Sequence, residues 1–217
     1  MRKTLMMALA LALGAQQAAP LLAQTGHEHH QHQAEAAAAA PSKVDAQPVK
    51  GLSIPDVAVV DQDGNPVRFY SDLVKGKVVA INFVFTTCTT ICPPMGANFA
   101  KLQKVLGERA GKEVHLISVS VDPATDTPEH MKVWGRKFGA APGWTLVTGD
   151  RNEITRLLKA LGVYTADIND HSPLVLIGND AKGEWTRAYG LAAPAQVAEL
   201  IDGVAGAPAE AAHAHHH

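Results

Sequence analysis

Apolar positions recur along this chain with two periods, and the switches between them mark out its elements. Val57 to Val60 and Val67 to Tyr70 are short strand-like runs. Between them lies Asp61-Gln62-Asp63-Gly64-Asn65-Pro66, turn chemistry that predicts a hairpin. Val78 to Phe85 is almost unbroken in its apolarity, as expected of a strand buried on both faces. After Cys92-Pro93-Pro94, the residues Met95, Phe99, Leu102 and Leu106 return at helical spacing, and proline suits a first turn. Val114 to Val121 predicts the next strand. Thr127-Pro128-Glu129 opens a helix carrying Met131, Trp134 and Phe138, with threonine as cap and proline just inside. Trp144 to Thr148 is a short strand, and Arg151 to Leu161 is a helix with Ile154, Leu157 and Leu158 on one side, closed by Gly162. A second hairpin pairs Leu174 to Ile177 with Trp185 to Tyr189 across Asn179 to Gly183, and Pro194 to Val204 forms a closing helix. The order β-β-β-α-β-α-β-α-β-β-α predicts an α/β fold, a sheet with helices on its faces.

The ends of the chain lack this periodicity. Residues 1–23 have the layout of an export signal: basic Arg2 and Lys3, an apolar stretch from Leu5 to Leu13, and small residues around Ala23. That stretch is too short to span a bilayer, which takes ~20 residues. The expected location is the periplasm, with an uncleaved signal anchoring the same domain at the membrane face as the alternative; either way the protein is membrane-adjacent, not membrane-spanning. Residues 24–48 hold His27, His29, His30 and His32 together with Ala36 to Ala40, a composition expected of a disordered tether. Residues 206–217, with His213, His215, His216 and His217, form a similar tail. Residues 49–205 remain as one domain, long enough to bury a proper core.

Composition narrows the function. With 19 Lys and Arg against 21 Asp and Glu, the chain has no positive excess for gripping nucleic acid. A hydrophobic content of 47% with 5% aromatics fits an aliphatic globular core and excludes a membrane bundle or a wholly disordered chain. The two cysteines, Cys88 and Cys92, are too close together to staple much chain.

Their chemistry lies instead in their position. Cys88-Thr89-Thr90-Ile91-Cys92-Pro93 joins a buried strand to a helix, which places the thiols at the carboxyl edge of the sheet and near the positive end of a helix dipole. That field favours thiolate, the form that attacks disulfides and binds metal. On a helical turn, residues four apart share a face at ~6 Å along the axis, which suits either a disulfide or a shared ion. Soft thiolates favour Cu(I), and a structural zinc site would need a second cysteine pair. His171, in Asp170-His171-Ser172-Pro173, is the candidate third ligand. If the strand it enters runs beside Val78 to Phe85, its loop faces the cysteines; an ordinary surface-loop histidine is the alternative. The terminal histidine clusters are candidates for auxiliary binding of Cu(II), zinc or nickel, or are simply solvated tails. His115 in a strand and His130 on a helix read as structural.

Three motifs in order carry a resemblance to a known family: Phe85-Thr86-Thr87-Cys88-Thr89-Thr90-Ile91-Cys92-Pro93; Ser120-Val121-Asp122-Pro123 through Asp126-Thr127-Pro128; and Asp170-His171-Ser172 with Gly178 to Gly183 and Tyr189-Gly190. Over about residues 50 to 205 the chain resembles the Sco/SenC proteins. The resemblance implies a thioredoxin-like fold with an additional N-terminal β-hairpin and a central mixed sheet flanked by helices. It also implies a copper-binding trio at Cys88, Cys92 and His171. Family members deliver copper to the binuclear copper centre of respiratory cytochrome oxidase, and some act as thiol-disulfide reductases. The implied cargo is Cu(I), with Cu(II) a second possibility. The implied partners are the oxidase subunit carrying that centre, other periplasmic copper carriers, and thiol reductases. Asp122 and Asp126 match the family's acidic loop and are candidates for cap, turn or outer-shell roles.

Two positions bear on the balance between carrier and reductase. Pro173 stands where thioredoxins place a cis-proline facing their cysteines, which weighs toward disulfide exchange. Asn82 stands where thioredoxin carries a buried acid, and an amide cannot accept a proton from a resolving thiol. The expected mechanism is reversible capture of Cu(I) by Cys88, Cys92 and His171. In the alternative, Cys88 attacks a partner's disulfide and Cys92 resolves. A peroxide-reducing enzyme of related fold is disfavoured because Asn82-Phe83-Val84-Phe85-Thr86-Thr87 replaces that family's usual motif before the cysteine.

Overall fold

A computed structural model describes residues 45–206, all within one compact unit. The export signal, the histidine run at residues 27–32 and the tail from residue 207 lie outside the described residues.

The strands are β1 (Gln47–Val49), β2 (Ala58–Asp61), β3 (Pro66–Arg68), β4 (Val78–Val84), β5 (Val114–Ser120), β6 (Trp144–Thr148), β7 (Leu174–Asn179) and β8 (Glu184–Tyr189). The helices are α1 (Cys92–Leu106), α2 (Pro128–Phe138), α3 (Arg151–Ala160) and α4 (Pro194–Ala205). One sheet runs in the order β1-β8-β7-β4-β5-β6-β2-β3. The β4–β5 and β5–β6 pairs are parallel and the rest antiparallel, so the sheet is mixed, as expected. The expected extra hairpin is β2–β3, joined to β6 through Val60 opposite Thr148.

The continuous apolar run becomes the centre of the sheet. Every residue of β4 from Val79 to Val84 is buried, Asn82 included, between β5 and β7. Fully burying one such aliphatic or aromatic side chain stabilises the fold by roughly 1.5–3 kcal/mol. α4 packs on β7, β4 and α1. α1 and α2 meet over β6 through aromatic rings: Phe99 and Trp134 lie 5.7 and 6.3 Å from Trp144. Gly96 makes the approach of α1 to α2 possible, because a Cβ there would stand 2.8 Å from the rings of Phe138 and Trp134. As the sequence suggests, Thr127 caps α2 by accepting from the His130 amide at 3.2 Å; Asp150, not singled out by the sequence, caps α3 by accepting from the amides of Asn152 and Glu153.

Two elements differ from the sequence reading. The sheet starts at Gln47, inside the stretch read as tether, because Gln47–Val49 pairs with Trp185 to Arg187 of β8. The second strand of the N-terminal hairpin ends at Arg68, and Phe69–Val74 coils into a single π-helical turn. The Asp56 carboxylate accepts from the amides of Tyr70 and Ser71, at 3.1 and 2.9 Å, and draws the backbone off the ladder while Phe69 and Val74 stay buried.

Candidate metal centre

The site forms where β4 ends. Past Val84 the chain turns: the Cys88 amide donates to the Phe85 carbonyl at 3.2 Å, and Cys92 opens α1. The first amides of a helix have no partner within it. Pro93 and Pro94 carry no N–H, and the Met95 amide is taken by the Ile91 carbonyl at 3.2 Å. The Cys92 amide is therefore the free donor of this turn, and it points at the Cys88 sulfur, 3.3 Å away. The Thr90 hydroxyl lies 3.7 Å from the same sulfur.

These contacts divide the two thiols electrostatically. Burial opposes ionisation of Cys88, but hydrogen bonds from Cys92 and Thr90 outweigh it and hold the thiol below its ordinary value. Cys92 is completely buried, and burial above all pushes it up to about 12; the nearby Phe85 backbone partly opposes this, and the charges of Cys88 and Asp126 add to it. Both cysteines are free thiols.

His171 comes to this edge from the other side. β7 runs antiparallel beside β4, with Val175 opposite Asn82, so the loop entering β7 arrives where β4 delivers its cysteines. The imidazole is 6% exposed and stands edge-on to the Phe85 ring, centroids 5.6 Å apart. Its Nδ1 lies 3.0 Å from the Ile168 carbonyl. A carbonyl only accepts, so Nδ1 carries a proton, and in the neutral ring the lone pair is on Nε2. Nε2 is buried with no partner among the described residues. A neutral imidazole with one nitrogen fixed by a backbone carbonyl and the other unmatched has the chemistry of a metal ligand.

The structure thus brings Cys88 and Cys92 together and seats His171 against Phe85, the residue that starts the cysteine loop. It does not close the three into one cluster: among the described residues, no three His, Cys, Asp or Glu side chains stand close enough to hold an ion.

Of the acidic loop, Asp126 is the structural member. Its buried carboxylate accepts from the Thr86 amide and hydroxyl, at 3.0 and 2.6 Å, and from the Ser120 hydroxyl at 2.6 Å. It ties the end of β5 and the approach to α2 to the residues just before Cys88. Burial raises its carboxyl against those same hydrogen bonds. The Asp122 amide donates to the Ser120 hydroxyl at 3.0 Å, which completes the turn. Sequence reasoning gave Asp126 only a generic role, since Asp before Thr-Pro is ordinary turn chemistry. Asn82 lies beneath this edge: its Oδ1 accepts from Ser118 at 2.6 Å, and its Nδ2 is buried without a partner. His115 sits in β5 and His130 on α2, where its Nδ1 reaches the Thr125 carbonyl at 2.7 Å; neither joins the site.

A family model described as SCO1/SenC matches residues 50–204. The chain belongs to the SCO1/SenC family. Among SCO1/SenC proteins, it is 40% identical over 90 residues to the SCO1 protein homolog of Bacillus subtilis, covering 41% of this chain and 45% of that one. The chain spans about half the length of the first curated relatives it matches. A SCO1/SenC family lipoprotein from Bacillus anthracis superposes with a TM-score of 0.63 at 30% identity, covering 73% of this chain and 98% of the other. The structure of Bradyrhizobium japonicum ScoI with copper bound superposes at 0.59 with 27% identity, covering 70% and 99%. The thioredoxin-like architecture expected from the sequence is the one found. No helix among the described residues is long and apolar enough to cross a membrane.

Proposed function

We propose that this protein is an exported copper carrier. It holds Cu(I) through Cys88, Cys92 and His171 and delivers it to the binuclear copper centre of a respiratory cytochrome oxidase. Other periplasmic copper carriers or thiol reductases load it or keep it reduced. The observation that carries the reading is the buried, unmatched Nε2 of His171, whose tautomer is set by the Ile168 carbonyl, at the sheet edge where the only two thiols of the chain converge. Support comes also from the copper-bound ScoI structure, which shares the fold over most of the domain.

The chain's own groups give the capture an order. Cys88, already held toward thiolate by the Cys92 amide, takes the ion first. Cys92 then gives up its proton to become the second ligand, because a bound cation reverses the cost that keeps it protonated. His171 follows by a small inward movement of residues 168–173, and its unmatched nitrogen closes a three-coordinate site. Because capture is stepwise, a partner's ligands can replace these three one at a time, and the ion is never free. Oxidation of the two thiols to a disulfide, with two electrons and two protons passing to an external disulfide or other two-electron acceptor, removes two ligands and ties loading to redox state.

A second reading, thiol-disulfide reductase, draws on the divided thiols: a stabilised Cys88 nucleophile beside a Cys92 held near 12 is the asymmetry of an attacking and a resolving pair. Anaerobic Cu(I) titration run beside an insulin-reduction assay separates the two. One-to-one binding weakened in His171→Ala, with little insulin turnover, supports the carrier; rapid turnover without such binding overturns it.

A further inference from the structure

We propose that the cleft beside His171 is a docking groove for an extended, carboxylate-bearing segment of a partner protein. The cleft measures about 430 Å³ and lies between the start of β1, the outward part of β8, the turn after α3 and the Ser172-Pro173-Leu174 segment that follows His171. Arg187 of β8 is the cation in its lining.

That guanidinium is positioned but not neutralised. One Nη2 hydrogen bond, 2.6 Å long, runs to the Leu161 carbonyl. Nε is buried without a partner, and Arg187 has no ion pair among the described residues. Gly162 lets it lie flat, since a Cβ there would stand 2.6 Å from Nη2. A cation held in a concavity by a carbonyl and a glycine has little rotamer freedom left to lose on binding, and its fork matches a carboxylate. Asp45, the carboxylate in the lining, is exposed on the rim and forms no ion pair among the described residues. Lys159 adds positive charge nearby, with Nζ 4.8 Å from the centre of the Tyr164 ring.

The rim is apolar. Tyr164 and Tyr189 are 45% and 55% exposed and stand among the few large hydrophobic side chains left in solvent. Rings of this kind offer contact area at low entropy cost. An uncompensated cation flanked by exposed tyrosines is complementary to a main chain carrying an aspartate or glutamate. The position gives the groove its use: on the carrier reading, a chain lying in it sets the partner's own metal ligands beside His171.

The test is an NMR titration of the reduced, copper-free full chain with the peptide acetyl-Ser-Val-Glu-Val-Ser-amide and with its counterpart carrying glutamine in place of glutamate. The glutamate peptide is expected to shift the amide signals of Thr165, Ser172 and Arg187, to bind about tenfold more tightly than the glutamine peptide, and to weaken as salt is raised. Arg187→Gln should erase that preference, and Arg187→Lys should restore part of it. Equal affinity for both peptides, or shifts confined to another face, overturns the proposal. If Arg187→Gln melts early, Tyr189→Ser, at an exposed position, carries the test: a several-fold loss for the glutamate peptide supports the groove, and no loss overturns it. Cu(I) titration of Tyr189→Ser, expected to match the unaltered protein, reads the metal site separately, so failure of the groove and failure of the carrier reading are distinguishable.

Discussion

The imidazole of His171 meets the ring of Phe85 edge-on at 5.6 Å, and this contact joins two segments 86 residues apart at one end of the sheet. Phe85 also accepts the Cys88 amide. A single residue therefore sets the height of the imidazole and the start of the thiol loop.

Removing the imidazole nitrogen should weaken Cu(I) binding without dismantling the fold. His171→Phe keeps a ring against Phe85 but offers no ligand, and His171→Ala removes both. Competition with a Cu(I)-selective chromophoric chelator should show losses on the order of 10–100-fold for each. Unchanged affinity in His171→Phe would exclude this histidine as a ligand.

The two thiols should react at different pH. Rates of alkylation by iodoacetamide, resolved by residue in a mass spectrometer, should show Cys88 titrating below an ordinary thiol and leave Cys92 inert until pH approaches about 12. Thr90→Ala removes one of the groups that favour the Cys88 thiolate and should move its profile upward. Preferential labelling of Cys92 would contradict the geometry.

Asp126→Ala should be costly because it leaves the Thr86 amide and hydroxyl and the Ser120 hydroxyl without their acceptor in a buried site. Each of the three orphaned groups costs about 1–3 kcal/mol, so urea unfolding should show a loss of at least about 3 kcal/mol, with Asp126→Asn less damaging. A neutral Asp126→Ala would mean that water replaces the carboxylate without penalty.

Acid should loosen the N-terminal hairpin first. The Ser71 amide and hydroxyl, with Arg68 assisting, hold the Asp56 carboxyl well below the usual range, to about 2. A group lowered on folding stabilises the native state fully above its unfolded value near 4, and that contribution fades as pH falls through about 2. Amide exchange at Tyr70 and Ser71 should rise over that window and should already be fast at neutral pH in Asp56→Ala.

The extent to which the sequence anticipates these features follows from how local each signal is. β4 and α1 are legible because an unbroken apolar run and a helical recurrence of Met95, Phe99, Leu102 and Leu106 each have one good reading. The cysteine pair is legible because a strand-to-helix junction has a known polarity. β1 is not, since three residues including Pro48 show no period and gain their strand character only from Arg187, Thr186 and Trp185 across the ladder. The π-helical turn escapes notice for a similar reason: Phe69 and Tyr70 extend an apolar run, and Asp56, which unwinds it, is more than ten residues earlier. The Asp126 clip and the isolated Arg187 are set by long-range contacts between residues that are individually unremarkable in sequence.

Because the atom that orients His171 is the main-chain oxygen of Ile168, three positions upstream, the proposed ligand and its aiming device form one short cassette. Side chains at residues 168 to 170 can drift without disturbing the aim, so long as the tight turn survives. On the carrier reading, a shift of this segment as a unit keeps the same nitrogen presented, as a hand that must both grasp and let go requires.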